Sequence, residues 1–163
     1  MADSSNAVSK EQYRVIVDIE APIEQCFAAG TAEEAMMFWV PGPKSIVYDH
    51  SKASEPYGAG SQRLVTLNSG MSMIEKIDIS KKPTFLAYSI PSFGAVGDKL
   101  ISGYQGHMHF ETIGPNRTRL TWIGHFNCDG LARITEPLMR IIMKALITTM
   151  AKRLVKYFAN KAA

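Results

Sequence analysis

In the stretch "GSQRLVTLNSGMSMIEKID", Gly60 to Asp78, one arginine and one glutamate interrupt an otherwise apolar set of alternate residues. Side chains alternate faces along a strand, so Arg63, Val65 and Leu67 share a face, as do Met71, Met73, Glu75 and Ile77. A turn at Asn68-Ser69-Gly70 sets Leu67 against Met71, Val65 against Met73 and Arg63 against Glu75. The other face carries Gln62, Thr66, Ser72, Lys76 and Asp78, broken by a Leu64–Ile74 pair. Opposite charges facing each other on an apolar wall offset part of each other's burial cost, best in a bidentate geometry. Two roles are open to the pair. It can orient a carbonyl, hydroxyl or carboxylate of a ligand, or it can be a structural cross-strand contact near the sheet rim.

Tyr88 in "LAYSI" and Tyr104 in "GYQGHMHF" fall on the same inferred inner face, followed at alternate positions by Met108 and Phe110. A turn at Gly114-Pro115-Asn116 pairs Phe110 with Leu120 and Met108 with Trp122. The same register sets Glu111 against Arg119 outside. Gly106 removes bulk beside Met108 and is expected to widen a void there. Buried tyrosine hydroxyls need partners, which a ligand or water can supply. Arg63, Glu75, Tyr88 and Tyr104 are therefore the candidate catalytic groups. No nucleophile–base pair accompanies them, and Asp49 and Asp129 lack a located partner. His107 and His109 share the outer face with His125, and no cysteine or carboxylate converges on them, so no metal site is expected. No GxSxG elbow, P-loop or GxGxxG follows a strand.

These residues need a sheet to hold them. At 163 residues, 46% apolar and 20% charged, the chain has the size of one domain and the composition of an ordinary globular protein. A net charge of +3, with Lys and Arg dispersed except near the C-terminus, argues against nucleic acid as a partner. Two cysteines, Cys26 and Cys128, without metal-type spacing, suit a reducing compartment. The opening "MADSSNAVSK" lacks an apolar signal core and no run has the length of a membrane span, so a cytoplasmic location is expected.

Residues 1–10 read as a disordered tail and 11–163 as one domain. "QYRVIVDIE" alternates as a half-buried strand, and "APIEQCFAAG" has Pro at a helix start and Gly at its end. "TAEEAMMFW" opens a second short helix with a Thr31–Glu34 capping box. Strands follow near 45–50, 61–67, 71–79, 84–90, 104–113 and 118–127, separated by Gly- and Pro-marked turns. The segment "PSFGAVGDKLISG" (91–103) is the longest irregular piece. Its Gly94, Gly97 and Gly103 suggest a mobile gate.

The chain is expected to close with a long amphipathic helix, whose main body Pro137 either starts or kinks. Arg140, Lys144, Thr148, Lys152, Lys156 and Asn160 form its polar stripe, with Met139, Ile142, Met143, Leu146, Met150 and Leu154 opposite. Packing on its own sheet is the main use of such a helix; a basic, apolar-faced helix also suits transient membrane contact. One strand, two short helices, six antiparallel strands and a long helix make an α+β layout.

The order of these pieces resembles the SRPBCC, or START-like, superfamily, in its polyketide cyclase/dehydrase-type branch. The resemblance rests on "IEAPIEQCF", "FWVPGPKSI", "YGAGSQRLV", "EKIDISKKPTFLAYSI", "TRLTWIGHF" and the final helix, covering about residues 12–160. It implies a helix-grip fold: a curved seven-stranded antiparallel sheet wrapped around the long C-terminal helix, with two short helices after strand 1. It also implies a deep cavity between sheet and helix for a hydrophobic or amphipathic small molecule, such as a lipid, quinone or polyketide. In related pockets the positions of Arg63 and Glu75 face inward.

One dominant cavity is accordingly expected, with Trp39, Arg63, Val65, Met73, Glu75, Tyr88, Tyr104, Met108, Phe110, Trp122, Met139 and Met143 as ligand-binding residues and no cofactor. A Met-rich wall suits a carrier or sensor. The alternative is a cyclase, dehydratase or aromatase that folds its substrate in the same cavity, with Arg63 and a tyrosine stabilising enolate charge. No feature of the sequence fixes an oligomeric state.

Overall fold

The computed structural model describes residues 9–162; the expected tail lies outside them for residues 1–8. Seven antiparallel strands form one sheet: β1 (Glu11–Ile19), β2 (Pro43–Asp49), β3 (Gln62–Leu67), β4 (Ser72–Lys81), β5 (Phe85–Ile90), β6 (Ser102–Gly114) and β7 (Arg117–Asn127). Their spatial order is β1-β7-β6-β5-β4-β3-β2, so consecutive hairpins run across the sheet while the first strand crosses over to pair with the last.

Both hairpin registers read from the sequence are present. Arg63 pairs with Glu75, Leu64 with Ile74 and Val65 with Met73. Met108 pairs with Trp122, Phe110 with Leu120 and Glu111 with Arg119. A one-residue slip would turn each apolar row to solvent, which fixes both registers.

The inner face is covered by α1 (Ile23–Ala29), α2 (Glu33–Trp39) and the long α4 (Glu136–Ala162), which a 3-10 segment, Gly130–Thr135, introduces. Helix α1 starts after Pro22 and ends at Gly30, whose φ of −69° is ordinary right-handed backbone. A Cβ there would fit closely, 3.2 Å from Phe27 O and 3.4 Å from both Met108 Cε and Phe110 Cζ. The capping box at α2 does not form. Ala32 is the N-cap, and Thr31 instead donates its hydroxyl to Ala28 O at 3.1 Å, back onto the preceding helix. Without Thr31 as N-cap, Glu34 has no capping partner to complete.

Pro137 stands in the first turn of α4, where its missing N–H costs nothing, so it starts the helix and does not kink it. The helix is pinned by Arg153, which donates to Phe38 O at 2.6 and 3.0 Å. Lys10 and Arg140 pair with Glu136 near its start.

The expected clean amphipathic split of α4 holds only in its second half. There Ile147, Ala151, Leu154 and Phe158 recur at helical spacing and are buried. In the first half Ile142 and Leu146 are exposed, as are Leu138 and Ile141, while Met139, Met143 and Met150 are half-buried. Apolar side chains there exceed what the sheet beneath can cover.

Candidate ligand cavity

Arg63 and Glu75 meet as expected, on neighbouring strands of the inner face. The guanidinium Nε donates to Glu75 Oε2. Nη1 donates to Tyr48 Oη at 3.1 Å and Met36 Sδ at 3.0 Å, with Gly30 O at 3.4 Å. The Tyr48 hydroxyl in turn donates to Thr31 O at 2.5 Å, so the pair is tied to the α1–α2 junction. Arg63 is 1% exposed and Glu75 8%, so both charges are taken out of bulk water. Burial alone would weaken the Arg63 cation, but the Glu75 carboxylate and Tyr48 hold its pKa above the ordinary value.

Next to the pair stands an aromatic group. Arg63 Cζ lies 5.3 Å from the Tyr88 ring centroid. Tyr88 Oη accepts from Trp122 Nε1 at 3.2 Å, and Tyr104 Oη shares a hydrogen bond of 2.7 Å with Tyr13 Oη. Trp39 stacks edge-on against Trp122 at 5.7 Å and donates Nε1 to Ala29 O. Burial pushes the Tyr88 and Tyr104 hydroxyls well above the usual phenol range, so both keep their protons at neutral pH.

A cavity of about 330 Å³ lies between this group and α4. Nine residues read from the sequence line it: Trp39, Arg63, Val65, Met73, Glu75, Tyr88, Tyr104, Trp122 and Met143. Three do not. Met108 and Phe110 are spent on the core beneath α1, against Gly30 and, for Phe110, the Phe27 ring at 5.5 Å. Met139 packs against the core beside the 3-10 segment, about one helical turn before the wall.

The space above Gly106 is not open, contrary to expectation. A Cβ on Gly106 would collide with the Tyr88 ring, and one on Gly124 with the Tyr13 ring. Gly106 pairs with Gly124, Tyr88 with Gly106 and Tyr13 with Gly124, giving a row Tyr13–Gly124–Gly106–Tyr88 across four strands.

The wall also includes Met36, Val40, Pro41, Leu67, Met71, Ile90, Phe93, Leu146, Ile147 and Met150. Strand parity already places Leu67 with Val65 and Ile90 with Tyr88. Met36 and Phe93 carry no such signal, since their positions follow from how α2 and the 91–103 segment dock. In that segment a single turn, α3 (Gly94–Gly97), is closed by Asp98, which accepts from Ser92 Oγ at 2.6 Å and Phe93 N at 2.7 Å. Phe93 packs edge-on against Tyr104 at 5.5 Å.

A second concavity, of about 390 Å³, lies outside the sheet–helix interior among Glu24, Phe27, Thr31, Tyr57 and Lys82, so the interior cavity is not the only one. On the outer face the His107 and His125 rings lie 4.4 Å apart, and His125 Nδ1 is 3.1 Å from Ser9 O. Burial and the neighbouring His125 and His109 lower the His107 pKa to about 4.

This fold has counterparts. A family profile described as "Polyketide cyclase / dehydrase and lipid transport" matches residues 10–159, and the chain belongs to that family. No curated protein sequence matches. Among solved structures, a point mutant of norcoclaurine synthase from Thalictrum flavum, in complex with a transition-state analogue, superposes with a TM-score of 0.71. It is 15% identical, over 96% of this chain and 98% of that one. The same plant enzyme with dopamine and hydroxybenzaldehyde gives 0.68 at 15% identity, over 94% and 88%. An uncharacterised Bacillus thuringiensis protein gives 0.69 at 16% identity, over 90% and 98%. At such identities the likeness establishes the helix-grip fold. Family and fold together fit a hydrophobic-ligand-binding or polyketide cyclase-type protein.

Proposed function

We propose that this protein binds a hydrophobic or amphipathic small molecule, of lipid, quinone or polyketide type, in the cavity between sheet and α4. The carrying observation is an apolar, methionine-rich wall with its charged groups confined to one place, the Arg63–Glu75 pair. Lining residues Arg63, Glu75, Tyr88 and Tyr104 anchor the polar end, and Trp39, Val65, Met73, Trp122 and Met143 surround the apolar part. The test is native mass spectrometry of the purified protein, followed by extraction: a co-purifying apolar compound, lost on blocking the cavity with Val65→Trp, supports the reading.

A second reading, a cyclase, dehydratase or aromatase in the same cavity, is favoured by Tyr88, whose hydroxyl accepts from Trp122 and whose ring lies against the Arg63 guanidinium. Turnover of a polyketone would establish it. The 91–103 segment, with Phe93 on the cavity wall, serves as the gate in either case. Faster amide exchange there in the empty protein than in the filled one supports that role.

Transient contact with an anionic membrane belongs to the same proposal. Leu131, Ile134, Leu138 and Ile141 stand exposed on the 3-10 segment and the first half of α4. Residues 130–161 carry seven basic side chains against one acidic, Glu136. An apolar strip among cations suits an anionic lipid surface. No helix among the described residues is long and apolar enough to cross a membrane.

A further inference from the structure

We infer that Ser9 and Lys10 form a latch on the 91–103 segment, fastening its end at Gly103 to β7 and to the start of α4. The inference rests on the gate reading of that segment and names what restrains it.

Among the described residues, the hydrogen bonds of residues 92–101 run within the segment itself. Its hold on the rest of the chain is the packing of Phe93, Leu100 and Ile101, together with its two ends. The far end is built to turn. Regular pairing of β6 with β7 is interrupted between Ser102 and Gln105. Gly103, inside that break, has a φ of +59°, a left-handed conformation that glycine adopts without steric cost.

Ser9 sits on this glycine. Its hydroxyl donates to Gly103 O at 2.8 Å and accepts from Asn127 Nδ2 at 3.2 Å. Lys10 continues the tie: its N donates to Asn127 Oδ1 at 3.3 Å and its O accepts from Phe126 N at 3.0 Å. Its Nζ pairs with Glu136 at 2.7 Å. Two consecutive residues thus join the base of the segment, the end of β7 and the first turn of α4. The Ser9 hydroxyl is the member that reaches the segment. Removing it frees Gly103 O while the Lys10 contacts to β7 and α4 remain. Loss of one hydrogen bond of ordinary net strength shifts an opening equilibrium about three- to tenfold.

The chain supplies its own reporter of opening. Its only two tryptophans, Trp39 and Trp122, are both fully buried and both on the cavity wall. Acrylamide, small and uncharged, quenches their emission as it gains entry to the cavity. Ser9→Ala is expected to speed amide exchange over 91–103 about three- to tenfold and to raise this quenching, with the thermal midpoint almost unchanged. Ser9→Cys with Gly103→Cys tests the opposite direction. A Cβ at 103 would stand 3.9 Å from Ser9 Cβ, a separation that a disulfide spans. Exchange over 91–103 should be slower in the oxidised double variant than in the same protein reduced, a comparison from which any strain at position 103 cancels. Should the cysteines not pair, Ser9→Ala decides alone. Unchanged exchange in Ser9→Ala, a rise spread evenly over the chain with a lower midpoint, or equal exchange in the oxidised and reduced double variant overturns the latch. Faster exchange over 91–103 with quenching at the wild-type level leaves the fastening in place and removes the gate reading.

Discussion

The ring of Tyr88 lies flat across Gly106, occupying the volume that any side chain at 106 would need. This contact helps set where the Tyr88 hydroxyl stands, together with Trp122, whose Nε1 donates to that hydroxyl at 3.2 Å.

Gly106→Ala should therefore displace the Tyr88 ring. Overpacking of this kind costs about 1–3 kcal/mol. The expected result is a lower midpoint in urea together with a changed tryptophan emission, since Trp122 loses its hydroxyl partner. Tyr88→Ala combined with Gly106→Ala should recover part of the loss attributable to the clash.

Breaking the buried ion pair from either side should be costly. Arg63→Met or Glu75→Leu alone leaves an uncompensated charge and is expected to lose about 3–5 kcal/mol. The double variant removes both charges at similar volume and should unfold near the wild-type midpoint. Its affinity for the head group of a bound ligand should fall. Equal stability of all three variants would mean that the pair contributes no buried charge.

On the outer face, His107 links stability to pH. Its folded pKa of about 4 lies below the ordinary 6.5. Between those values the unfolded chain binds the proton and the folded one does not. Stability should therefore be full above about pH 6.5 and decline as pH falls towards 4. The imidazole is partly solvated, so the effect is of order 1 kcal/mol or less. Denaturant midpoints at pH 7 and pH 5 measure it, and His107→Gln should flatten the difference.

Binding to lipid should depend on the exposed start of α4. Sedimentation with vesicles containing phosphatidylserine is expected for wild type and not for Ile134→Asp with Ile141→Asp. Neutral vesicles should bind less. The same substitutions should leave unfolding almost unchanged, because both side chains are exposed.

How much of this was legible beforehand follows from periodicity. Strand alternation is exact, so the pairing of Arg63 with Glu75 and of Met108 with Trp122 could be read directly. Parity gives a face, however, and not a depth along it. Met108 and Phe110 share the face of Tyr104 yet lie under α1, and only the docking of that helix separates core from cavity wall. The same limit applies to Gly106, whose open space was claimed by a neighbouring strand's tyrosine. Helical contributions such as Met36 and Met150 depend on the rotation and placement of whole helices, which side-chain pattern alone leaves free. The mixed exposure at the start of α4 was hidden for the same reason.

The pairing of β1 with β7 has a kinetic consequence. Residues 11–19 can find their partner only after residues 117–127 exist, so the widest loop in the sheet closes late, during synthesis as in refolding. Folding dominated by such distant pairings is slow, in the range of milliseconds to seconds. The hairpins from β2 to β6 can form earlier, presenting an apolar concave surface before α4 has been made to cover it. A chaperone or a ligand that recognises that concave surface would thus meet the chain at the one stage when it is open.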